Sequence, residues 1–204
     1  MLEISIKKNY LIKNHDYFGD IMADIAEASQ KKLKTRISKF RKCNKDEKEK
    51  EKFFNKLGIS FTINVPDENS ENEKMINIYS NPDGNITYSE YIYPDEENFS
   101  QEGISNEELE SIVNDFSDFK LKLDNDGEID EDSLDSFCSF TINLFNKNPE
   151  KKDDLITIYT TPDGSVLFAE YVYTEEENFS QIDITEKDLK VIVEAFSDYK
   201  LNME

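Results

Sequence analysis

Histidine occurs once in this 204-residue chain and cysteine twice. With His15 alone in a stretch read as a loop before the first helix, a Ser-His-Asp or Cys-His constellation has little to build on. Cys43 and Cys138 stand far apart, without a CxxC or Cys/His grouping, so neither a disulfide framework nor a zinc site is indicated. Both read as reduced thiols of a cytosolic protein. The start, "MLEISIKKNYLIKN", lacks the continuous apolar stretch of a signal peptide, and no 18-residue apolar run occurs anywhere, so a cytoplasmic protein that does not engage a membrane is expected.

Basic residues are scarce where acids are dense. Residues 1 to 60 carry 15 basic and 9 acidic side chains (net +6), whereas residues 61 to 204 carry 9 and 36 (net −27). A body of that charge disfavours direct binding to nucleic acid or anionic lipid and attracts a basic partner over long range. The same charge also serves as a solvated, aggregation-resistant surface.

What is present in quantity is order. Leu2, Ile4 and Ile6 alternate as in a short strand, and from Asp16 onward Phe18, Ile21, Met22, Ile25, Leu33, Ile37 and Phe40 recur with helical spacing. That long helix carries Lys31, Lys32, Lys34, Arg36, Lys39, Arg41 and Lys42, read as a solvated basic face, and "NKDEKEKEK" follows as linker or further exposed helix. Beyond it, residues 76 to 123 match residues 156 to 203 at an offset of 80 with 24 identities in 48, and "FTIN" at 61 matches "FTIN" at 140. This reads as an internal duplication.

Within each copy the alternation predicts three strands and a helix. Ile59, Phe61, Ile63 and Val65 open the first copy and Phe140, Ile142 and Leu144 the second. "INIYSNPDGNITYSEYIY" and "ITIYTTPDGSVLFAEYVY" are hairpins turned at Pro82-Asp83-Gly84 and Pro162-Asp163-Gly164. Ser105 with Glu108, and Thr185 with Asp188, resemble capping boxes ahead of helices marked by Leu109, Ile112, Val113 and Phe116, and by Leu189, Ile192, Val193 and Phe196.

The expected fold class is therefore α+β: tandem duplicated β-β-β-α modules forming a mostly antiparallel sheet with helices on one face, preceded by a strand and a long N-terminal helix. The two modules together give six strands, seven with the first strand. The divisions are 1–57 (strand and basic amphipathic helix), 58–123 (first repeat), 124–136 (acidic linker) and 137–204 (second repeat). Overlapping that linker, "LKLDNDGEIDEDSL" (121–134) imitates a calcium loop with Asp124, Asp126, Gly127 and Ile129. Lys122 and Ser133 occupy the positions of its essential end ligands, so it reads as an acidic turn and no metal is expected.

Continuing the alternation places Ile86, Tyr88 and Ile92 (Val166, Phe168 and Val172 in the second copy) under the helices. The other face then carries Thr62, Asn64, Tyr79, Tyr91 and Tyr93, matched by Thr141, Asn143, Tyr159, Tyr171 and Tyr173. Tyrosine gives large contact area with a polar tip and suits a binding surface; it equally stabilises an exposed sheet with no partner. "EENFSQ" recurs intact at 96–101 and 176–181, where Phe99 and Phe179 anchor a loop and Glu96, Glu97, Glu176 and Glu177 face a partner. Glu90 and Glu170 fall on the aliphatic face, where a carboxylate must find a donor; they read as structural, and no catalytic group or cofactor is expected.

"PDGSVLFAEYVYTEEE" resembles the hairpin of the small acidic immunity proteins that neutralise secreted nuclease toxins of type VII systems, over about twenty residues in each copy. The resemblance implies an acidic surface that occludes a basic nuclease and performs no chemistry of its own. The leading expectation is a non-catalytic inhibitor, an immunity protein or antitoxin, whose partner is a basic toxin, nuclease or nucleic-acid-binding enzyme. A viral anti-defence protein imitating nucleic-acid phosphates shares that physics, and a structural or adaptor protein is the reading from a different class.

Overall fold

The computed structural model describes residues 27–65, 74–94, 99–123, 138–145, 153–175 and 178–203. The expected first strand, His15, the whole acidic linker, and Glu96, Glu97, Glu176 and Glu177 lie outside them.

The first described element is helix α1, residues 27–43, which buries Leu33, Ile37 and Phe40 at helical spacing. A short turn leads to α2 (Glu47–Phe54), whose N-cap Asp46 accepts from the N–H groups of Lys48 and Glu49. Eight antiparallel strands and two helices follow: β1 (Leu57–Val65), β2 (Lys74–Ser80), β3 (Ile86–Pro94), β4 (Phe99–Gly103), α3 (Asn106–Asp115), β5 (Cys138–Leu144), β6 (Asp154–Thr160), β7 (Val166–Glu175), β8 (Asn178–Asp183) and α4 (Glu186–Ala195). They form one sheet in the order β4-β3-β2-β1-β5-β6-β7-β8. Both capping signals form at the helix starts: Ser105 and Glu108 make a reciprocal box, and Thr185 accepts from the Asp188 N–H.

The sheet has two more strands than the alternation predicts. Each half is β-β-β-β-α, because "FSQ" is not a loop but belongs to the edge strands β4 and β8. Short polar edge strands lack the hydrophobic alternation of half-buried ones, which is why their periodicity is silent.

The centre of the sheet is nearly symmetric. Phe61 of β1 stands directly opposite Phe140 of β5, and Ile59 opposite Ile142. Because the two "FTIN" segments meet there antiparallel, Phe61 faces its own match, and Ile59 and Ile63 each face the other's match, as in an isologous interface between identical subunits. The core repeats the relationship. Phe61 packs on Phe116 and Phe119 at ring-centroid distances of 5.3 and 4.7 Å, and Phe140 on Phe196 and Tyr199 at 5.3 and 4.9 Å.

Each half also straps the other. After α4 the chain returns to the first hairpin, where the Asn202 N–H donates to Gly84 O and the Ile86 N–H to Asn202 O. After α3 it reaches the second hairpin, where the Lys122 N–H donates to Gly164 O and the Val166 N–H to Lys122 O. Gly84 and Gly164 have φ of 90° and 92°, and a Cβ on either would fall 1.6 Å from Lys200 O or 2.2 Å from Lys120 O. The repeated PDG turn thus needs glycine for its own backbone and for the strand crossing over it.

Symmetry breaks at α1, whose ion pairs among the described residues all go to the second half. Arg36 reaches the buried Asp154 at 2.6 Å, Arg41 pairs with Asp188 at 2.6 Å, and Asn44 donates to Val191 O at 2.9 Å. The solvent-exposed reading of the basic face is corrected here: part of it docks the helix onto an acidic body. The sequences agree with this asymmetry, since Ile182, Val191 and Ala195 of the second half stand where the first has Glu102, Ser111 and Asp115. Ile192, Val193 and Phe196 are accordingly buried, whereas Ile112, Val113 and Phe116 are half-buried. No helix among the described residues is long and apolar enough to cross a membrane.

Candidate partner-binding sheet face

One extra residue in each hairpin decides what the sheet carries on the face turned away from the described helices. Tyr79 pairs with Tyr88, yet the next residue, Ser80, pairs with Ile86, so Thr87 is a bulge; Leu167 is the bulge of the second hairpin. A bulge shifts the side-chain alternation by one place. Ile86 and Val166 stay under the helices as expected, but Tyr88, Ile92, Phe168 and Val172 move to the other face and Tyr91 and Tyr171 take the helix side.

Of the six tyrosines expected on the open face, the pairing places two there and turns three to the helix side. Tyr79 and Tyr159 lie on the open face. Tyr171 is fully buried beneath α1, and burial first, then the nearby Asp154 carboxylate, push its phenol well up. Tyr91 lies against the core with the Lys74 ammonium 3.5 Å from its ring centre, and Tyr93 leans on Tyr91 at 6.3 Å. The side chain of Tyr173 lies outside the described residues.

Glu90 and Glu170, expected on the aliphatic face, are on the open face, and a signal for this was present: a carboxylate in an aliphatic register is costly enough to flag the register as wrong. Both are buried among their neighbours. Tyr79 donates to Glu90 Oε1 at 3.1 Å and Tyr88 to Oε2 at 3.2 Å. Asn77 donates to the Tyr79 hydroxyl at 3.4 Å, and Thr62 to Asn77 at 2.6 Å. In the second half Tyr159 donates to Glu170 Oε1 at 3.1 Å, Gln181 donates to Oε2, and Thr141 donates to Thr157 at 3.2 Å.

Beside each carboxylate two aromatic rings stack across the strands. Tyr79 lies on Tyr88 at 5.9 Å and Tyr159 on Phe168 at 4.2 Å. The inner ring is partly buried and the outer is not, Tyr88 being 53% and Phe168 54% exposed. The phenols of Tyr79 and Tyr159 are pushed up by burial and by the adjacent glutamate, and that of Tyr88 chiefly by Glu90. They therefore remain protonated donors, which holds each carboxylate as an oriented acceptor with lone pairs to spare.

Sequence reasoning missed Tyr88, Phe168, Glu90 and Glu170 as members of this face because it carried the alternation straight through the bulge. The two clusters are related by the near-symmetry of the sheet and lie four strand spacings apart, roughly 19 Å across the strands. Each sets an exposed aromatic ring beside a glutamate, a pairing of groups that favours an ammonium or guanidinium. Among the described residues no group of three or more His, Cys, Asp or Glu is placed to hold a metal ion. The chain matches no protein-family model and no curated protein.

Proposed function

We propose that this chain is a non-catalytic acidic inhibitor, of the immunity-protein or antitoxin kind, that binds and occludes a basic toxin or nuclease. The observation that carries the reading is the matched pair of aromatic-glutamate clusters on the face turned away from the described helices, each with one exposed ring beside a carboxylate held by hydroxyl donors. A body of net charge −27 steers a basic partner toward that face, and the rings supply the contact that slows release. The two halves are, in this reading, tandem copies of one module fused so that a single chain presents two equivalent lysine or arginine seats.

The test is capture of partners on the tagged protein from nuclease-treated lysate of its source cells, eluted by a salt gradient, followed by assay of the captured protein. A basic nuclease released at high salt, and silenced when the chain is added back at equal concentration, supports the reading. Retention of no basic protein, or a captured nuclease that stays active in the complex, contradicts it.

A further inference from the structure

The four acids per lysine of the body make one place on this molecule conspicuous. Where α1, α2 and the start of β1 meet, a cavity of about 510 Å³ opens, within the range that holds a small organic ligand. Lys39 and Lys42 line it from α1, Lys52 from α2 and Lys56 from the turn that leads into β1, with Glu49 as the opposing charge. Arg36 also reaches it, although its guanidinium is committed to Asp154. Among the described residues, Lys42, Lys52 and Lys56 take part in no salt bridge, unlike Lys32, Arg36 and Arg41, which hold α1 on the body.

The rest of the lining is apolar and aromatic. Phe53 and Leu57 belong to it, and so does Phe145, which is 52% exposed. Phe145 keeps its place because Gly58 offers no side chain: a Cβ there would lie 2.7 Å from the ring's Cζ. An exposed aromatic ring in a cleft whose lysines outnumber its one glutamate satisfies two chemistries at once, a planar π system and a cluster of negative oxygens. Several lysines around one cleft also act as mobile point charges, which suits a phosphate chain better than a single planar carboxylate.

We propose that this cavity binds a nucleoside phosphate, with the base stacked on Phe145 and the phosphates held by Lys42, Lys52 and Lys56. The helical hairpin that supplies the lysines lies outside the repeated part of the chain, so among the described residues the second half has no counterpart of it, and the site is separate from the paired clusters of the sheet face. It stands or falls independently of the inhibitor reading.

Calorimetric titration of the full chain with ATP, and in parallel with inorganic tripolyphosphate, tests the proposal. Saturable one-to-one binding of ATP is expected. Phe145→Ala should weaken ATP about tenfold, the scale of losing one stacked base, and leave tripolyphosphate unchanged. Lys42→Glu with Lys56→Glu should abolish both; these are exposed positions, and an unchanged melting temperature verifies the fold. Absence of saturable ATP binding, equal affinity for ATP and tripolyphosphate, or ATP binding that survives the double lysine variant each overturns it.

Discussion

A Cβ on Gly84 would lie 1.6 Å from the carbonyl oxygen of Lys200, more than a hundred residues away along the chain. The first hairpin and the C-terminal strap were thus shaped together, as were Gly164 and Lys120 at 2.2 Å. Gly84→Ala and Gly164→Ala combine a positive φ with a backbone clash, and each should cost about 2 kcal/mol or more. For a chain of this length that is a fall of roughly 4–8 °C in melting temperature by calorimetry. A glycine-to-alanine change at Gly103, where a Cβ meets nothing within 4 Å, is the matched control and should leave the melting temperature nearly unchanged.

The matched halves differ by one hydroxyl in a telling place. Tyr199 and Ser80 share a buried hydrogen bond at 2.8 Å, while the counterpart of Ser80, Thr160, has a buried Oγ1 with no hydrogen-bond partner among the described residues. The counterpart of Tyr199 is Phe119, which has no hydroxyl to offer. Phe119→Tyr should therefore supply the missing bond and stabilise the chain by about 1 kcal/mol, a rise of about 2–4 °C. A melting temperature that falls would show that the second strap has no room for the added oxygen.

Arg36 and Asp154 hold α1 on the second half. Asp154 is 1% exposed, so Arg36→Met leaves a buried carboxylate whose remaining ion pair is with the Lys32 ammonium, 3.7 Å from its other oxygen. The expected loss is about 3–5 kcal/mol by denaturant titration. Replacing both, Arg36→Met with Asp154→Leu, should recover most of it, because an apolar pair does not carry the desolvation cost of the isolated charge.

Alkali should unfold the chain through buried acids. Burial pushes the Cys138 thiol from 9.0 to about 12, and the Tyr199 phenol from 10.0 to about 12; Tyr171 also moves upward. A group raised by folding leaves stability intact below its unfolded pKa and withdraws it as pH climbs toward the folded value. Melting temperature should accordingly hold up to about pH 9 and then decline through about pH 12. Cys138→Ala together with Tyr199→Phe should flatten that decline, even though both lower the neutral-pH starting point.

The hairpins, the helix caps and the aliphatic stripe of β1 and β5 were legible because each rests on local chemistry: a PDG turn, a Ser or Thr three residues ahead of an acid, and a period of two. What was not legible depends on pairing. Thr87 and Leu167 are chemically unlike, so nothing in either residue marks it as a bulge, and the shift it causes exchanged Tyr88 for Tyr91 on the candidate face. The strands β4 and β8 carry Ser100, Gln101 and Glu102, or Ser180, Gln181 and Asp183, at an edge where no hydrophobic stripe is required. The choice of the second half as the seat of α1 was written in Ile182, Val191 and Ala195 against Glu102, Ser111 and Asp115, but only a comparison between halves exposes it.

The proposed partner face rests on Tyr88 and Phe168, whose rings are more than half exposed, so truncating them removes little that holds the fold. The most direct measurement is a side-by-side capture from the same lysate with the native chain and the Tyr88→Ala, Phe168→Ala double variant, after calorimetry has established equal melting temperatures within about 2 °C. The account predicts that a basic protein retained by the native chain is lost from the variant or released at markedly lower salt. Equal retention of the same protein by both would contradict the assignment of the sheet face as the place where this chain binds.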